Sequence, residues 1–224
     1  MPEGDLKNAI NDYRFLLNRN YSQKASIKLV GDRYMLKREE RSILYRGVSG
    51  EESARLRKSK LTELLSEKKI YIDTYNILFT IGNYLNGRPV FISDDGFLRD
   101  AGELRGRFTR KKLLLRIVDI LKDFFLKYSR NEYNLFLDQP VSNSGELAVN
   151  FNQFFRQNDL RGKAETCESP DYEIVKYAME NDIVCSSDSV IIERVPCRVF
   201  DLSFFLINKH FDPDIIDLNG MIEI

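Results

Sequence analysis

Histidine is nearly absent from this sequence of 224 residues, which contains only His210. A Ser-His-Asp or Cys-His mechanism, or a metal site built from histidines, would have to depend on that one side chain. His210 follows an apolar helical run, and no motif surrounds it. We therefore expect no catalytic role for His210.

Cysteine is also scarce, and Cys167, Cys185 and Cys197 form neither a CxxC pair nor a zinc-binding spacing. An odd number of cysteines in a chain without an evident signal peptide fits a reducing compartment. The spacing gives no support for a zinc site, and we expect buried thiols without a chemical role.

Long apolar runs are missing as well. The most apolar stretch, residues 113–126, is interrupted by four charged residues, which is too many for a segment that crosses a bilayer. The beginning of the chain contains no apolar core of the kind that a signal peptide needs. We therefore expect a cytoplasmic protein with no membrane partner.

The rest of the composition is that of a folded protein, with 43% hydrophobic and 30% charged residues. The net charge is zero, but residues 1–70 carry 16 Lys and Arg against 10 Asp and Glu, and residues 71–224 carry 18 against 24. A basic module joined to an acidic one is expected when the first binds a polyanion and the second gathers carboxylates around cations. Two solvated surfaces of different composition are the alternative.

The basic part is predicted to be helical. Apolar residues at helical spacing predict a first helix over residues 5–18, and Ser22 is a suitable N-cap for a second helix that ends near Gly31. A third helix is predicted over residues 36–45. Two short helices joined at a glycine turn resemble a helix-turn-helix unit. The prediction is a small, basic all-α domain over residues 1–52, followed by a connecting helix over residues 53–69.

The pattern changes at residue 70, where short apolar runs that end in acidic residues begin to alternate with helical stretches. This alternation is typical of a parallel sheet with crossover helices on both faces. The sequence therefore predicts an α/β domain with a Rossmann-like parallel sheet over residues 70–224. The predicted strands are Ile70–Asp73, Pro89–Asp94, Asn134–Asp138, Asp182–Asp188 and Arg198–Asp201.

An aspartate closes each of these predicted strands. The carboxyl ends of parallel strands meet at one edge of a sheet, where ligands bind, and clustered carboxylates repel each other unless cations lie between them. Hard cations such as Mg²⁺ and Mn²⁺ prefer oxygen ligands and can activate water for attack on a phosphate. The candidate metal ligands are Asp73, Asp94, Asp95, Asp138 and Asp188, of which Asp73, Asp138 and Asp188 are the expected catalytic acids.

Polar residues that follow the strands are candidates for supporting roles. One is an amide in the first helical turn after a strand, one is a hydroxyl beside a strand-end acid, and two mark the start of a helix. Ordinary N-capping and strand-to-helix turns would explain the same residue types. These candidates are Asn76, Ser187, Ser144 and Glu146.

Two groups of basic residues are candidate nucleic-acid contacts. The first lies on or near the third helix, and a solvated helical cap would also explain it. The second lies in a loop over residues 95–108, which is long enough to suggest a functional role. The loop contains neither GxxxxGKS/T nor GxGxxG, so it is not a nucleotide-binding loop of those classes. The candidates are Arg33, Lys37, Arg38 and Arg41 in the first group and Arg99, Arg105 and Arg107 in the second.

Several segments, in a fixed order, carry a resemblance to a known family. They are DYRFLLNRNYSQKASIKLVGDRYMLKREERSILYRG, YIDTYNILFTIGNYLNGRPVFISDDGFLRDAG, LDQPVSNSGELA, CSSDSVII and the closing FDL. Over about residues 10–205 the chain resembles an uncharacterised prokaryotic family with a short helical N-terminal domain and a PIN-like (NYN/PIN-type nuclease) C-terminal domain.

The resemblance implies a metal-dependent ribonuclease with three or four clustered acids. It matches Asp73 to the first-strand acid of PIN domains, Asn76 to the helical polar residue after it, and Asp188 to the acid after the fourth strand. PIN nucleases usually have a further acid within a helix, and Glu146 is the nearest candidate.

These features together predict a metal-dependent phosphodiesterase, a ribonuclease that uses Mg²⁺ or Mn²⁺ and leaves a 5′-phosphate. The expected partner is RNA, with DNA and a second copy of the chain as open alternatives. A nucleic-acid-binding protein with a degenerate PIN-like domain and a small-molecule phosphohydrolase also remain open. The DxDxT signature of one phosphatase class is absent, because Tyr75 occupies the position of its second Asp.

Overall fold

The computed structural model describes residues 3–65, 67–102 and 111–222. Four helices come first: α1 (Glu3–Asn18), α2 (Gln23–Arg33), α3 (Arg38–Gly47) and α4 (Glu51–Lys60). Ser22 caps α2 as predicted, because its side chain accepts a hydrogen bond from Ala25 N. The predicted connecting helix is wrong beyond Lys60. There the chain turns extended, and Thr62 N donates to Val199 O at the edge of the main sheet.

Strands and helices alternate in the remainder of the described chain. The strands are β1 (Lys69–Asp73), β2 (Val90–Ile92), β3 (Leu98–Asp100), β4 (Glu132–Asp138), β5 (Gly162–Cys167), β6 (Ile183–Cys185), β7 (Arg198–Val199) and β8 (Ile216–Asp217). The helices are α5 (Thr74–Leu85), α6 (Lys111–Lys127), α7 (Ser144–Gln157), α8 (Pro170–Tyr177), α9 (Ser189–Arg194) and α10 (Leu202–Phe211), and a short 3-10 helix follows at Asn219–Met221. Across the described ranges, no helix has the length and apolar character that a membrane span requires.

The main sheet has five parallel strands in the order β5-β4-β1-β6-β7. Numbered along the chain within this sheet, the order is 3-2-1-4-5, which is that of doubly wound α/β folds. The strand order reverses between β1 and β6. In such sheets a crevice opens outside the carboxyl ends of the strands at the reversal point, and ligands bind there.

Helices cover both faces of this sheet, as the alternation predicted. Ile70 and Ile72 of β1 face a core shared with α5, α6, α7 and α10, whereas Tyr71 faces the core beneath α8 and α9. This period of two is that of a strand buried on both sides. Cys185 and Cys197 are buried in these cores as free thiols, in agreement with the burial expected from sequence, whereas the free thiol Cys167 is only half-buried.

Several strand assignments made from sequence differ from the structure. The segment predicted as a loop over residues 95–108 contains β3, and β8 was not predicted. The predicted strand over residues 89–94 contains β2, but β2 belongs to a separate sheet of three strands, β3-β2-β8. The fifth place in the parallel sheet is taken by β5, which the sequence did not predict. The sequence of β5 is Gly-Lys-Ala-Glu-Thr-Cys, and only Ala164 in it is buried. As an edge strand it needs little apolar character, so hydrophobic patterning does not reveal it.

The N-terminal helices share a core with the small sheet. Tyr13 of α1, Val30 of α2 and Leu44 of α3 are buried in one cluster with Phe91 of β2. Gly47 lets α3 approach the sheet closely, because a Cβ at this position would stand 2.6 Å from the Phe91 ring. The helical region therefore does not stand apart from the α/β region. Contacts between them run from α3 to β2 and β3 and from α4 to α9.

Candidate functional site at the carboxyl edge of the sheet

Asp73 ends β1 next to the point where the strand order reverses. Its carboxylate caps α5 by accepting from Asn76 N at 3.4 Å, and Ser186 Oγ donates to Asp73 Oδ2 at 3.0 Å from the turn after β6. The side chain is buried, with 6% of the residue exposed. Burial, followed by the negative charge of Asp171, raises the pKa of Asp73 from 3.8 to about 8. At neutral pH this carboxyl is therefore protonated unless a cation comes close.

Four carboxyl groups from four different segments interact electrostatically at this edge. The charges of Asp171, Asp138 and Asp188 all raise the pKa of Asp73. Asp171 is affected in the same way: burial raises its pKa first, and the charges of Asp188 and Asp138 add to the effect. Burial also raises the pKa of Asp138, at the end of β4. The structure thus brings together Asp73, Asp138 and Asp188, as the strand-end pattern predicted, and adds Asp171.

Asp171 is the acid that sequence reasoning missed. It lies in the first turn of α8, directly after Pro170, with Ser169 as the N-cap. A Ser-Pro-Asp helix start three residues after a strand end is a recognisable signal, but it required β5 to be assigned as a strand. Glu146, the acid considered first for this helical role, is exposed on the first turn of α7.

The turn after β6 is attached to the start of α5 by a small hydrogen-bond network. Ser187 donates to Asn76 Oδ1 twice, from its backbone N at 2.9 Å and from its Oγ at 3.0 Å. Asp188 N donates to Ser186 Oγ at 3.1 Å, and the Asp188 carboxylate caps α9 by accepting from Val190 N at 2.8 Å. The Asn76 oxygen is therefore engaged by Ser187. Asn76 and Ser187 position the loop that carries Asp188.

Asp94 and Asp95 lie in the turn between β2 and β3, where their carboxylates are engaged by other protein groups. Asp94 accepts from Ser49 N at 2.6 Å, and burial raises the pKa of Asp94 to about 6. Burial would raise the pKa of Asp95 too, but the charges and hydrogen bonds of Arg99 and Arg57 outweigh it and lower the pKa to about 2. Arg57 Nε lies 2.6 Å from Asp95 Oδ2, and Arg99 Nη2 lies 2.7 Å from the same oxygen.

This buried network connects the N-terminal helices to the acid cluster. Arg99 also donates from Nε to Ser187 O at 3.0 Å, and so joins the β2–β3 turn to the turn after β6. Arg99 is only 5% exposed, so it cannot bind a phosphate at the surface. Its prediction as a nucleic-acid contact was therefore wrong. A buried arginine pair on one carboxylate is costly to break, because either partner would be left with an uncompensated charge. Arg105 and Arg107 lie outside the described residues.

Asp201 follows β7, and its carboxylate, like those of Asp94 and Asp95, accepts hydrogen bonds from other protein groups. Its carboxylate caps α10 by accepting from Phe204 N at 2.9 Å, and it accepts from Leu98 N in β3 at 2.6 Å. Burial raises the pKa of Asp201 to about 6. The residue therefore joins the small sheet to α10.

Ser144 and Arg41, two of the remaining sequence candidates, donate hydrogen bonds to groups other than the four acids. Ser144 is buried at the start of α7, where its Oγ donates to Gln139 O at 3.3 Å. In the helical region, Arg41 is engaged by Asp32, with Nη2 at 2.9 Å from Oδ1, and by Leu36 O. The exposed candidates of this group are Arg33, Lys37 and Arg38.

The donor chemistry of the acid cluster fits a hard divalent cation. Carboxylate oxygens are the ligands that Mg²⁺ and Mn²⁺ prefer. A cation among the four acids would offset the negative charges that, together with burial, raise the pKa values of Asp73 and Asp171. The geometry is not preformed: within residues 3–65, 67–102 and 111–222, no three His, Cys, Asp or Glu side chains are placed so that they could hold a metal ion. The acids therefore provide the charge for such a site, whereas a coordination shell would require side-chain movement.

Comparisons with known proteins give two family matches. The model named Domain of unknown function (DUF5616) matches residues 62–203, and the model named Protein of unknown function (DUF434) matches residues 5–60. The chain is also 27% identical over 190 residues to the Uncharacterized protein MJ0935 of Methanocaldococcus jannaschii, a match that covers 84% of this chain and 89% of that protein. No solved structure matches the chain. The first family match includes all four acids of the cluster, and the second covers α2 to α4 and most of α1.

Proposed function

We propose that this chain, which belongs to the DUF5616 family, is a metal-dependent phosphodiesterase that cleaves RNA. The observation that carries the proposal is the buried carboxyl of Asp73, surrounded by the charges of Asp138, Asp171 and Asp188 at the reversal point of a parallel sheet. Carboxylates that repel each other destabilise a fold unless cations lie between them. A buried cluster of this kind is therefore a candidate functional site.

We further propose that the α/β region is a PIN-like domain. The proposal is supported by the 3-2-1-4-5 order of the parallel sheet and by the acids that follow its strands. In that assignment Asp73 is the first-strand acid, Asp171 is the helical acid, and Asp188 is the acid after the fourth strand. Asp171 replaces Glu146 in this role, because the charge of Asp171 acts on Asp73 more strongly than any other carboxylate does.

The four acids would hold one or two Mg²⁺ or Mn²⁺ ions, which, when bound, supply charge stabilisation at phosphate and lower the pKa of bound water. The chain's own residues prepare the site for this. Ser186 orients the Asp73 carboxyl through its hydrogen bond to Oδ2, and Asn76 holds the turn that carries Asp188. Burial raises the pKa of Asp171, and the positive charge of Arg194, exposed at the end of α9, partly opposes that rise. Arg194 is a candidate contact for a substrate phosphate.

The test of this function is cleavage of a 5′-labelled single-stranded RNA by the purified full chain. We expect cleavage with Mg²⁺ or Mn²⁺, and no cleavage above buffer after a chelator is added, because in the proposed reaction the attacking water is activated by the bound cation. His210→Ala should cleave at the wild-type rate, since His210 lies on α10, exposed to solvent. Cleavage that persists in chelator would contradict the proposal.

We also propose that the exposed basic residues of the helical region bind RNA outside the site of cleavage. The double variant Lys37→Gln/Arg38→Gln should weaken binding at low salt and reduce the slope of log affinity against log salt by about 1.4, since each phosphate contact to a single strand contributes about 0.7. The measurement is a salt titration of binding to a fluorescent single-stranded RNA. Lys163→Gln/Lys209→Gln, which removes the same charge from exposed sites elsewhere, is the matched control. Equal slopes for the two double variants would show that the helical region is only a structural cap.

A further inference from the structure

A cavity of about 420 Å³ lies between α6 and α7, next to the turn that follows Asp138. One wall is the turn that follows Asp138, residues 141–143, and Tyr75 at the start of α5 lines the cavity as well. Both connect it to the acids: Val141 N donates to Asp138 O at 3.2 Å, and Tyr75 follows Asp73 by two residues in the first turn of α5. Its volume is within the range of small-molecule sites, about 300–1,000 Å³.

The lining of the cavity combines apolar walls with neutral polar groups. Tyr75, Leu114, Val118 and Leu147 provide apolar surface, and Ser142, Asn143 and Asn150 provide a hydroxyl and two amides. A planar ligand with apolar faces and hydrogen-bonding edges matches this distribution. The charged side chains in the lining are balanced in sign, so the cavity does not select an anion. They are Lys111 and Lys122 against Asp119 and Glu146.

We propose that this cavity binds one nucleobase of the RNA strand whose phosphate lies at the acid cluster, an inference that rests on the proposed function. A nucleobase has the two apolar faces and the polar edge that the lining requires, and its phosphate carries the negative charge that the cavity does not attract. A base inside the cavity must leave its stack and its pairing partner. The substrate class is therefore single-stranded RNA with an unstacked nucleotide, and duplex RNA is a poor substrate.

The test compares two probes in the uncleaving Asp73→Asn background: a fluorescent oligouridylate and an abasic ribose-phosphate chain of the same length. We expect the oligouridylate to bind about tenfold more tightly, which is the size of effect that a single stacked base produces. Ser142→Trp, at an exposed position on the rim, should fill the cavity and reduce oligouridylate binding to the level of the abasic chain. Asn150→Ala should reduce the preference while leaving the binding of the abasic chain unchanged.

The control is Gln153→Ala, an exposed position on the same helix that does not line the cavity, and it should keep the full preference. Equal binding of the two probes, or a preference that survives both Ser142→Trp and Asn150→Ala, would overturn the nucleobase site. If the nucleobase site is overturned in this way but the wild type still cleaves RNA with Mg²⁺ or Mn²⁺, only the cavity inference fails. If the wild type cleaves no RNA, the proposed function fails, and the two probes still decide whether the cavity binds a base.

Discussion

Replacing Asp73 by asparagine should abolish RNA cleavage while raising the stability of the metal-free protein. Asp73→Asn removes the carboxylate at the centre of the cluster, and we expect a loss of activity of at least about a thousandfold, since activation of the attacking water depends on the bound cation. The amide keeps the size of the side chain, and its oxygen can still accept from Ser186 Oγ. The fold should therefore be retained.

The stability of the metal-free protein gives an independent measurement of the same residue. The pKa of Asp73 is raised by folding from 3.8 to about 8, so between these values the folded state holds a proton that the unfolded state has lost. The free energy of unfolding of the wild type should therefore decrease as the pH rises from about 4 to about 8, and that of Asp73→Asn should decrease less. Melting curves in chelator at pH 5 and at pH 8 test this, and the advantage of the variant should be larger at pH 8.

The control for both experiments is Asp123→Asn, which removes an exposed carboxylate from α6. It should match the wild type in activity and in pH dependence. Full cleavage by Asp73→Asn would mean that the acid cluster is not the catalytic site. A wild-type melting temperature that does not fall with pH relative to Asp73→Asn would mean that Asp73 is not buried among like charges in solution.

Replacing Asp171 by asparagine should reduce cleavage about a hundredfold or more and weaken Mn²⁺ binding about ten- to a hundredfold, as expected when one carboxylate is removed from a metal site. The side chain lies on the first turn of α8 and is not the N-cap, a role that Ser169 has. Loss of the helix is therefore not expected. The measurements are single-turnover cleavage and a Mn²⁺ titration.

The same variant should change the pH dependence of the metal-free protein, because Asp171 carries the negative charge that raises the pKa of Asp73 most, after burial itself. In Asp171→Asn the decrease of stability between pH 4 and pH 8 should be shallower than in the wild type. Glu146→Gln provides the comparison, since Glu146 is the alternative helical acid. A larger loss of cleavage and Mn²⁺ affinity in Glu146→Gln than in Asp171→Asn would reverse the assignment.

Much of the candidate site follows from local sequence. The apolar runs that become β1, β4 and β6 are short, and Asp73 and Asp138 end two of them, while Asp188 caps the helix after the third. A parallel sheet brings such ends to one edge whatever the details of the packing. For this reason Asp73, Asp138 and Asp188 could be predicted to lie together before the structure was known. The helix starts were predictable for the same reason, because caps depend on neighbours in sequence.

Whether another acid, such as Asp95, joins the cluster or pairs with an arginine depends on residues that are distant in sequence. Asp95 ends an apolar run just as Asp73 does, but Arg57 and Arg99 pair with it, and β2 belongs to another sheet. No local pattern distinguishes a carboxylate that faces an arginine from one that faces other carboxylates, because the partner comes from a different part of the chain.

Asp171, by contrast, belongs to the cluster although the sequence did not predict it. Its strand, β5, is an edge strand with little buried apolar surface, so periodicity does not reveal it, and the helix start after it has no apparent connection with the site. Only the pairing of β5 with β4 places Asp171 at the same edge as Asp138. The sequence by itself determined the α/β class and the acids that end buried strands. The tertiary structure decided which strands pair and which acids meet arginines, since burial and charge pairing arise from the whole packed chain.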